Sequence, residues 1–256
     1  MESQLSVISS NKGCIIKSNT DIQLFDFEFL LQPIISTDSK IIAFEALSKV
    51  HTSNDELICN ENFFETMNVD TIKCITIEQI KFFESFTKKQ NKLISYNLPI
   101  SAVCDHIFID KLISLNKNGF SIEINQFDIE FTDPTIICIR DAFKRLQVNG
   151  NQIWFDDYIH DKLIHRVYTH LFNWDAVKVD KSYILDYKKR KLIDNIISDI
   201  GNVVDKIIIE GVETPYQYHL LKFKKVNMQG FHISKPISEY KATKFLDGNN
   251  KLSIYV

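Results

Sequence analysis

The amino-acid sequence predicts an α/β protein built as a modified TIM barrel, that is, a (β/α)₈ barrel in which one strand runs antiparallel. From about residue 27 onward, short apolar runs rich in β-branched and aromatic residues alternate with longer stretches of helical period. There are eight such runs, the number that closes a barrel. Only residues 36–40 separate the first two runs, and this hairpin length is too short for a parallel crossover. One barrel strand must therefore be antiparallel.

The eight predicted strands are short and bounded by polar or turn-forming residues. In chain order they are residues 29–35, 41–47, 93–98, 121–125, 152–156, 176–179, 206–209 and 228–233. Between the second and third strands, residues such as Phe63, Ile72, Ile80 and Phe83 recur at roughly helical spacing, which predicts two helices within residues 62–86. Further helices are predicted over residues 134–146, 162–172, 189–201, 215–223 and 238–245.

The predicted domain organisation is a single barrel domain over residues 25–256, preceded by an N-terminal arm over residues 1–24. The arm shows no strong period, and we expect it to dock loosely. With 256 residues and 45% hydrophobic content the chain can bury a full core.

Composition and charge exclude several classes of function. The 30 basic and 33 acidic side chains give a net charge of −3, which argues against a binder of polymeric nucleic acid. No stretch approaches the ~18 apolar residues of a membrane-spanning helix, and the N-terminus lacks a signal-peptide pattern. We therefore expect a cytoplasmic protein with no membrane partner.

Acidic and amide side chains recur at the carboxyl ends of the predicted strands, where the reacting groups of such barrels lie. They are Glu45, Asn97, Glu123, Asp156, Asp157, Asp180, Glu210, Glu213 and Gln229, and one lysine, Lys178, lies among them. So many carboxylates would repel one another unless their pKa values rise or divalent cations neutralise them. Hard oxygen ligands suit Mg²⁺, Mn²⁺ or Ca²⁺, and two such ions can support in-line attack on a phosphodiester.

Seven short motifs in this order resemble the EAL domain family, the bacterial cyclic di-GMP phosphodiesterases. They cover about residues 27–245 and are Gln32-Pro33-Ile34 with Phe44-Glu45-Ala46-Leu47, Tyr96-Asn97-Leu98, Ile122-Glu123-Ile124, Phe155-Asp156-Asp157, Val177-Lys178-Val179-Asp180, Glu210-Gly211-Val212-Glu213-Thr214, and Gln229-Gly230 with Ser234-Lys235-Pro236.

The resemblance implies hydrolysis of cyclic di-GMP to linear pGpG with two Mg²⁺ or Mn²⁺ ions. It assigns catalytic roles to Glu45, Lys178 and Glu210: Lys178 would hold the attacking water or help to deprotonate it, and Glu210 would be a general base or a metal-side ligand. The implied metal ligands are Glu45, Asn97, Glu123, Asp156 as the bridge, and Asp157. The reaction would lower a second messenger that the family links to biofilm or fimbriae versus motility.

The resemblance also implies which residues bind the substrate. Leu47 would pack beside a guanine, Glu213 would brace the site and Gln229 would position water or substrate. Lys49 stands where the family usually has an arginine, so it keeps the charge but loses the bidentate fork. The whole implied set is Gln32, Leu47, Lys49, Asp180, Glu213, Gln229 and Pro236.

Two departures from the family pattern fall near the paired aspartates. The usual Phe-Gly-Thr-Gly is replaced by Tyr158-Ile159-His160-Asp161, and a turn needing positive φ would be strained at the β-branched Ile159. Gln126 stands where the family has a loop-anchoring glutamate, and it cannot supply the charge. The histidines His160, His165 and His170 are expected to face solvent.

Three interpretations of function therefore stay open. The first is a working phosphodiesterase with a rebuilt loop, forming a homodimer through the helices beside that loop. The second is a catalytically inactive EAL-like module that binds cyclic di-GMP or a protein partner as a regulator. The third is an unrelated two-metal phosphoesterase on a barrel, which the ordered motifs disfavour.

Overall fold

The computed structural model describes residues 5–18, 24–52, 60–115 and 118–248. Within these ranges, eight strands close a barrel and two more strands extend its sheet at the N-terminus. The strands are β1 Leu5–Ser9, β2 Gly13–Ser18, β3 Leu24–Ser36, β4 Ile41–Thr52, β5 Leu93–Leu98, β6 Ser121–Ile124, β7 Gln152–Tyr158, β8 Ala176–Val179, β9 Ile207–Ile209 and β10 Asn227–Met228.

The barrel consists of β3 to β10, and β3 is its antiparallel strand. From β4 to β10, successive strands are parallel neighbours, and β3 closes the ring by pairing antiparallel with both β4 and β10. The predicted fold class is confirmed, and the short connection between β3 and β4 is the hairpin that forces the exception.

The residues before β3 form more regular structure than the sequence indicated. β1 and β2 form an antiparallel pair, and β2 pairs with the first half of β3. Cys14 and Ile16 of β2 are buried in the core, and a side chain at Gly13 would collide with the main-chain oxygen of Phe27. The expectation of loose docking was therefore wrong for residues 5–18, because β pairing with β3 holds them. Residues 1–4 and 19–23 lie outside the described ranges, and the domain boundary at residue 25 stays a prediction.

Helices cover the outside of the barrel. They are α1 Asn60–Thr66, α2 Val69–Gln90, α3 Ile100–Val103, α4 His106–Leu115, α5 Asp133–Val148, α6 Leu163–Leu171, α7 Ser182–Leu185, α8 Ile193–Gly201, α9 Pro215–Leu221 and α10 Glu239–Leu246, with a 3₁₀ turn at Arg190–Leu192 before α8. The two helices predicted within residues 62–86 are present as α1 and α2. The helices α3, α4 and α7 were not predicted from the sequence. None of the helices in the described ranges has the length and apolar character needed to cross a bilayer.

Local capping explains where the longer helices begin. Asn68 caps α2 by accepting a hydrogen bond from the Thr71 amide, at 2.8 Å, and Thr132 caps α5 ahead of Pro134 in its first turn. Thr214 and Gln217 form a capping box at the start of α9. These caps end the loops that leave the carboxyl ends of the strands, so they fix the rim of the barrel.

The barrel interior is filled in layers. Five inward-facing apolar side chains form one buried cluster at the lower end: Ile34, Ala43, Trp154, Ala176 and Ile208. Side chains on a strand alternate between its two faces, so the residue two positions nearer the mouth also faces inward. These residues are Gln32 on β3, Glu45 on β4, Asp156 on β7, Lys178 on β8 and Glu210 directly after β9. An apolar floor therefore lies directly beneath a polar layer.

Candidate functional site

Lys178 lies at the centre of the polar layer and is 1% exposed. Its ammonium nitrogen contacts four carboxylates: Glu123 Oε2, Asp156 Oδ1 and Glu210 Oε1 at 2.9 Å each, and Glu45 Oε2 at 3.3 Å. Burial alone would lower the pKa of Lys178, but these carboxylates raise it well above the ordinary value. Lys178 is therefore protonated and carries the positive charge that makes the acidic layer tolerable.

The carboxylates form two overlapping groups. Oxygens of Glu45, Glu123 and Asp156 lie within 4.8 Å of one another, and so do oxygens of Asp156, Asp157 and Glu210. Asp156 belongs to both groups, in keeping with its predicted place as a bridge. Glu123 Oε1 is buried without a hydrogen-bond partner among the described residues. A buried, unpartnered carboxylate oxygen within a hard-oxygen set fits a divalent cation.

Amide side chains order Glu45 from both sides. Asn97 Nδ2 donates to Glu45 Oε1 at 3.0 Å, and Gln229 Nε2 donates to Glu45 Oε2 at 2.6 Å and to Gln32 Oε1 at 3.2 Å. Gln32 Nε2 in turn donates to the Ser234 carbonyl oxygen at 3.2 Å. Desolvation opposes ionisation of Glu45, yet Lys178 and these amides lower its pKa below the usual value. Because Asn97 gives its amide nitrogen to Glu45, its oxygen is left to serve as a ligand.

A close main-chain approach fixes Gln229. The Gln229 carbonyl accepts a hydrogen bond from the Val212 amide at 3.0 Å. A side chain at the next residue, Gly230, would lie 2.3 Å from the main-chain nitrogen and oxygen of Val212. Glycine at position 230 therefore lets the loop after β10 lie against the loop after β9.

A β-bulge brings both aspartates to the mouth. Phe155 pairs with Val177 and Tyr158 with Val179, so β7 contains one residue more than β8 across this step. Asp157 adopts a left-handed conformation at this bulge, with φ 53°, and so accommodates the extra residue of β7. In a regular strand Asp157 would point away from Asp156; the bulge instead lets both carboxylates join one group.

The remaining acids of the layer ionise less readily than ordinary carboxyl groups. Desolvation is the main cause, opposed by Lys178 and reinforced by neighbouring carboxylates, and it raises the pKa of Asp156 and raises those of Glu123 and Glu210 well above the ordinary value. Desolvation, followed by the charge of Asp156, raises the pKa of Asp157 to about 7, although its side chain is exposed at the mouth. These groups therefore hold their protons to higher pH than ordinary carboxyl groups do.

This proton binding predicts a pH-dependent stability of the metal-free protein. The pKa of Asp157 is about 7 in the folded chain against 3.8 for a free side chain, so the folded state binds more protons across that window. Its contribution to the free energy of unfolding should therefore decline as pH rises from about 4 to 7. We expect Asp157→Asn to flatten this slope in urea denaturation with EDTA. Asp141→Asn, at an exposed carboxylate on α5, is the control, and an equal slope in both variants would contradict the assignment.

The predicted substrate contacts lie farther out. Leu47 and Lys49 follow Glu45 on the same face of β4, with Leu47 half-buried and Lys49 exposed. Asp180 caps α7 by accepting a hydrogen bond from the Ser182 amide at 3.0 Å. Glu213 is exposed at the start of the α9 loop, outside the contacts around Lys178. Pro236 is half-buried beside Ile237, whose main chain pairs with Leu31. Their roles in binding stay predictions.

The residues that depart from the family pattern do not place positive φ where the sequence analysis considered it. Positive φ falls on Asp157, so Ile159 carries no strain of that kind. Gln126 is half-buried, and its main-chain carbonyl oxygen accepts a hydrogen bond from the Ile100 amide at 2.8 Å. Of the three histidines, His170 is exposed as expected, but His160 and His165 are half-buried. The expectation was wrong for these two because His165 accepts a hydrogen bond from the Ile159 amide and His160 lies against the Tyr158 hydroxyl.

Comparison with protein families settles the relationship. A family model described as EAL domain matches residues 18–236, most of the chain. The chain belongs to the EAL domain family. None of the curated proteins compared with it is a significant match.

Solved EAL structures share the fold at low sequence identity. The cAMP-bound EAL enzyme Bd1971 is 20% identical with a TM-score of 0.71, over 86% of this chain and 66% of that one. An EAL domain protein from Listeria monocytogenes EGD-e is 24% identical with a TM-score of 0.66, over 85% and 91%. The PaMucR phosphodiesterase in complex with c-di-GMP is 17% identical with a TM-score of 0.71, over 84% and 94%. The chain thus spans just under two thirds of the Bd1971 chain and most of the other two.

Proposed function

We propose that this EAL domain is a metal-dependent phosphodiesterase that hydrolyses cyclic di-GMP to linear pGpG. The observation that carries the proposal is the pair of carboxylate groups sharing Asp156 around a protonated Lys178. The family match and the c-di-GMP complex of the PaMucR phosphodiesterase support the choice of substrate. Such an activity in the cytoplasm would lower a messenger that controls surface attachment and motility.

The residues fit two divalent ions, and we assign the ligands by group. Glu45, Glu123 and Asp156, with the Asn97 oxygen, would hold one ion, while Asp156, Asp157 and Glu210 would hold the other. When bound, Mg²⁺ or Mn²⁺ would supply an activated water and neutralise charge on the phosphoryl oxygens. Each carboxylate must give up its proton to become a ligand, so ion binding should release protons.

The side chains of the polar layer have separate tasks in this proposal. Lys178 keeps its proton because four carboxylates surround it, so it orients the attacking water and stabilises negative charge rather than acting as a base. Glu210 is assigned as a ligand of the second ion, and it would accept a proton only through a carboxylate oxygen that does not hold the ion. Gln229 and Asn97 keep Glu45 in one orientation.

The outer residues would bind the nucleotide. The face of β4 that contains Glu45 continues through Leu47 to Lys49, which offers an apolar side chain for a guanine and an exposed ammonium for a phosphate. Of the other predicted contacts, Gln32 lies on β3, and Asp180, Glu213 and Pro236 lie in the segments that follow β8, β9 and β10. Lys49 provides a point charge rather than a planar fork, so Lys49→Arg should tighten substrate binding.

The test is hydrolysis of cyclic di-GMP by the purified chain with Mg²⁺ or Mn²⁺, with pGpG followed by chromatography. We expect metal-dependent product that is lost in Glu45→Ala, because this variant removes a ligand and the acceptor for both Asn97 and Gln229. Glu84→Ala, at an exposed glutamate on α2, is the matched control and should retain activity. Undiminished turnover in Glu45→Ala would overturn the metal assignment.

A second candidate function is binding of cyclic di-GMP without hydrolysis. The loop after Asp157 lacks the glycines of the family pattern, and a FimX EAL domain from Pseudomonas aeruginosa has been solved bound to c-di-GMP. Saturable binding of cyclic di-GMP with no product under either metal would favour this candidate, whereas absence of both would direct attention to a protein partner.

A further inference from the structure

The loop that joins β7 to α6, residues 159–162, follows a strained residue at the site, the bulge residue Asp157 of β7. Asp157 has φ 53°, a conformation that an L-residue adopts at a cost unless its surroundings hold it. The family pattern has two glycines just after this position, and this chain has none there. Other contacts must therefore hold the loop in the path that directs the Asp157 carboxylate towards Asp156 and Glu210.

Two side chains from neighbouring helices accept hydrogen bonds from the main chain of this loop. The Ile159 amide donates to His165 Nδ1 on α6 at 3.1 Å, and the Asp161 amide donates to Tyr183 Oη on α7 at 2.9 Å. These amides lie two and four residues after Asp157, so together they fix the direction in which the chain leaves the bulge.

Both acceptors are themselves rigidly held. Tyr183 is fully buried, and the His165 ring lies 5.4 Å from the ring of Phe155, the residue just before the aspartates. His165 can accept at Nδ1 only as the neutral imidazole with its proton on Nε2. Desolvation lowers the pKa of His165, which favours that form.

A further contact involves the side chain of His160, a residue of the loop. Tyr158 Oη and His160 Nδ1 are 3.1 Å apart, and His160 Nε2 lies 3.6 Å from Asp199 on α8. Hydrogen bonds thus join the loop to α6 and α7, and His160 lies close to α8. In this chain, hydrogen bonds to side chains hold the loop in a path that a tight glycine turn would otherwise set.

We propose that His165 and Tyr183 are positioning residues that hold Asp157 in its left-handed conformation and so build the second carboxylate group before any ion binds. The inference rests on the proposed function for the identity of the ligand, a divalent cation. Neither side chain contacts an ion or the substrate; both act through the main chain of the loop. In this way the chain retains a preformed site without the family's glycines.

The test measures Mn²⁺ binding to the full chain by calorimetry and by the electron paramagnetic resonance signal of the bound ion. His165→Ala should weaken one of two Mn²⁺ sites by about 10–100-fold, the usual effect of removing a group that orients a ligand. His165→Asn places an amide oxygen near the position of Nδ1 and should restore the wild-type affinity. His170→Ala, an exposed histidine on the same helix, is the control and should change nothing.

A second measurement reports on the loop without metal. In His165→Ala and Tyr183→Phe, amide hydrogen exchange at Ile159 and Asp161 respectively should accelerate while the exchange of β7 stays unchanged. Wild-type Mn²⁺ affinity in His165→Ala, or a loss that His165→Asn fails to restore, would overturn the proposal. A wild-type chain that binds two Mn²⁺ ions yet releases no pGpG would refute the proposed hydrolysis and leave this inference intact.

Discussion

Replacing Lys178 with methionine should destabilise the metal-free protein by about 3–5 kcal/mol at pH 8, the usual cost of breaking a buried ion pair by removing one partner. The substitution keeps the length of the side chain and removes the ammonium that contacts Glu45, Glu123, Asp156 and Glu210. Urea denaturation in the presence of EDTA measures the loss.

The loss should depend on pH in a definite direction. Without Lys178 the pKa values of all four carboxyl groups should rise from their values in the wild type, so the folded variant binds protons that the unfolded chain releases. The destabilisation should therefore be smaller at pH 5 and grow as pH rises. Lys206→Met is the control, because Lys206 lies below the apolar floor with its ammonium 2.9 Å from the neutral amide oxygen of Gln152. The same loss at both pH values would show that Lys178 contributes packing rather than charge.

Mg²⁺ should restore part of the stability of Lys178→Met. A cation that binds only the folded state stabilises it by mass action, and in the variant it would also replace the missing positive charge. The gain in the free energy of unfolding on adding Mg²⁺ should therefore be larger in the variant than in the wild type.

The polar layer could be predicted from the sequence because a barrel strand has a period of two. Ala43 and Glu45, Trp154 and Asp156, and Ala176 and Lys178 each face inward in succession, so an apolar residue marks the floor and the next inward residue marks the site. The hairpin length between β3 and β4 was enough to identify the antiparallel strand. These features depend on local spacing, which a sequence displays.

Features that depend on hydrogen bonds between distant segments could not be predicted in this way. Pairing of β2 with β3 and the bonds from the loop to His165 and Tyr183 have no periodic signal. The helix α4 was missed for a related reason: Ile107, Phe108 and Ile109 are apolar residues in succession, which helices and strands use equally well. Only the three-dimensional structure shows that Asp157, and not Ile159, has positive φ.

The shared place of Asp156 predicts an unequal response to loss of single carboxylates. Asp156 belongs to both carboxylate groups, whereas Glu123 belongs only to the first and Glu210 only to the second. Asp156→Ala should therefore abolish both Mn²⁺ sites, while Glu123→Ala and Glu210→Ala should each leave one. Mn²⁺ stoichiometry from calorimetry distinguishes these outcomes.

The same difference should appear in catalysis. Two ions together stabilise the transition state by several kcal/mol, and each 1.36 kcal/mol corresponds to a factor of ten, so Asp156→Ala should lower kcat/KM by about 10³-fold or more. Excess Mn²⁺ should partly rescue Glu123→Ala, which leaves the second group whole, but not Asp156→Ala, in which both groups have lost their common ligand. One retained Mn²⁺ in Asp156→Ala, or rescue of its activity by excess Mn²⁺, would mean that the two groups bind their ions independently and that Asp156 bridges nothing.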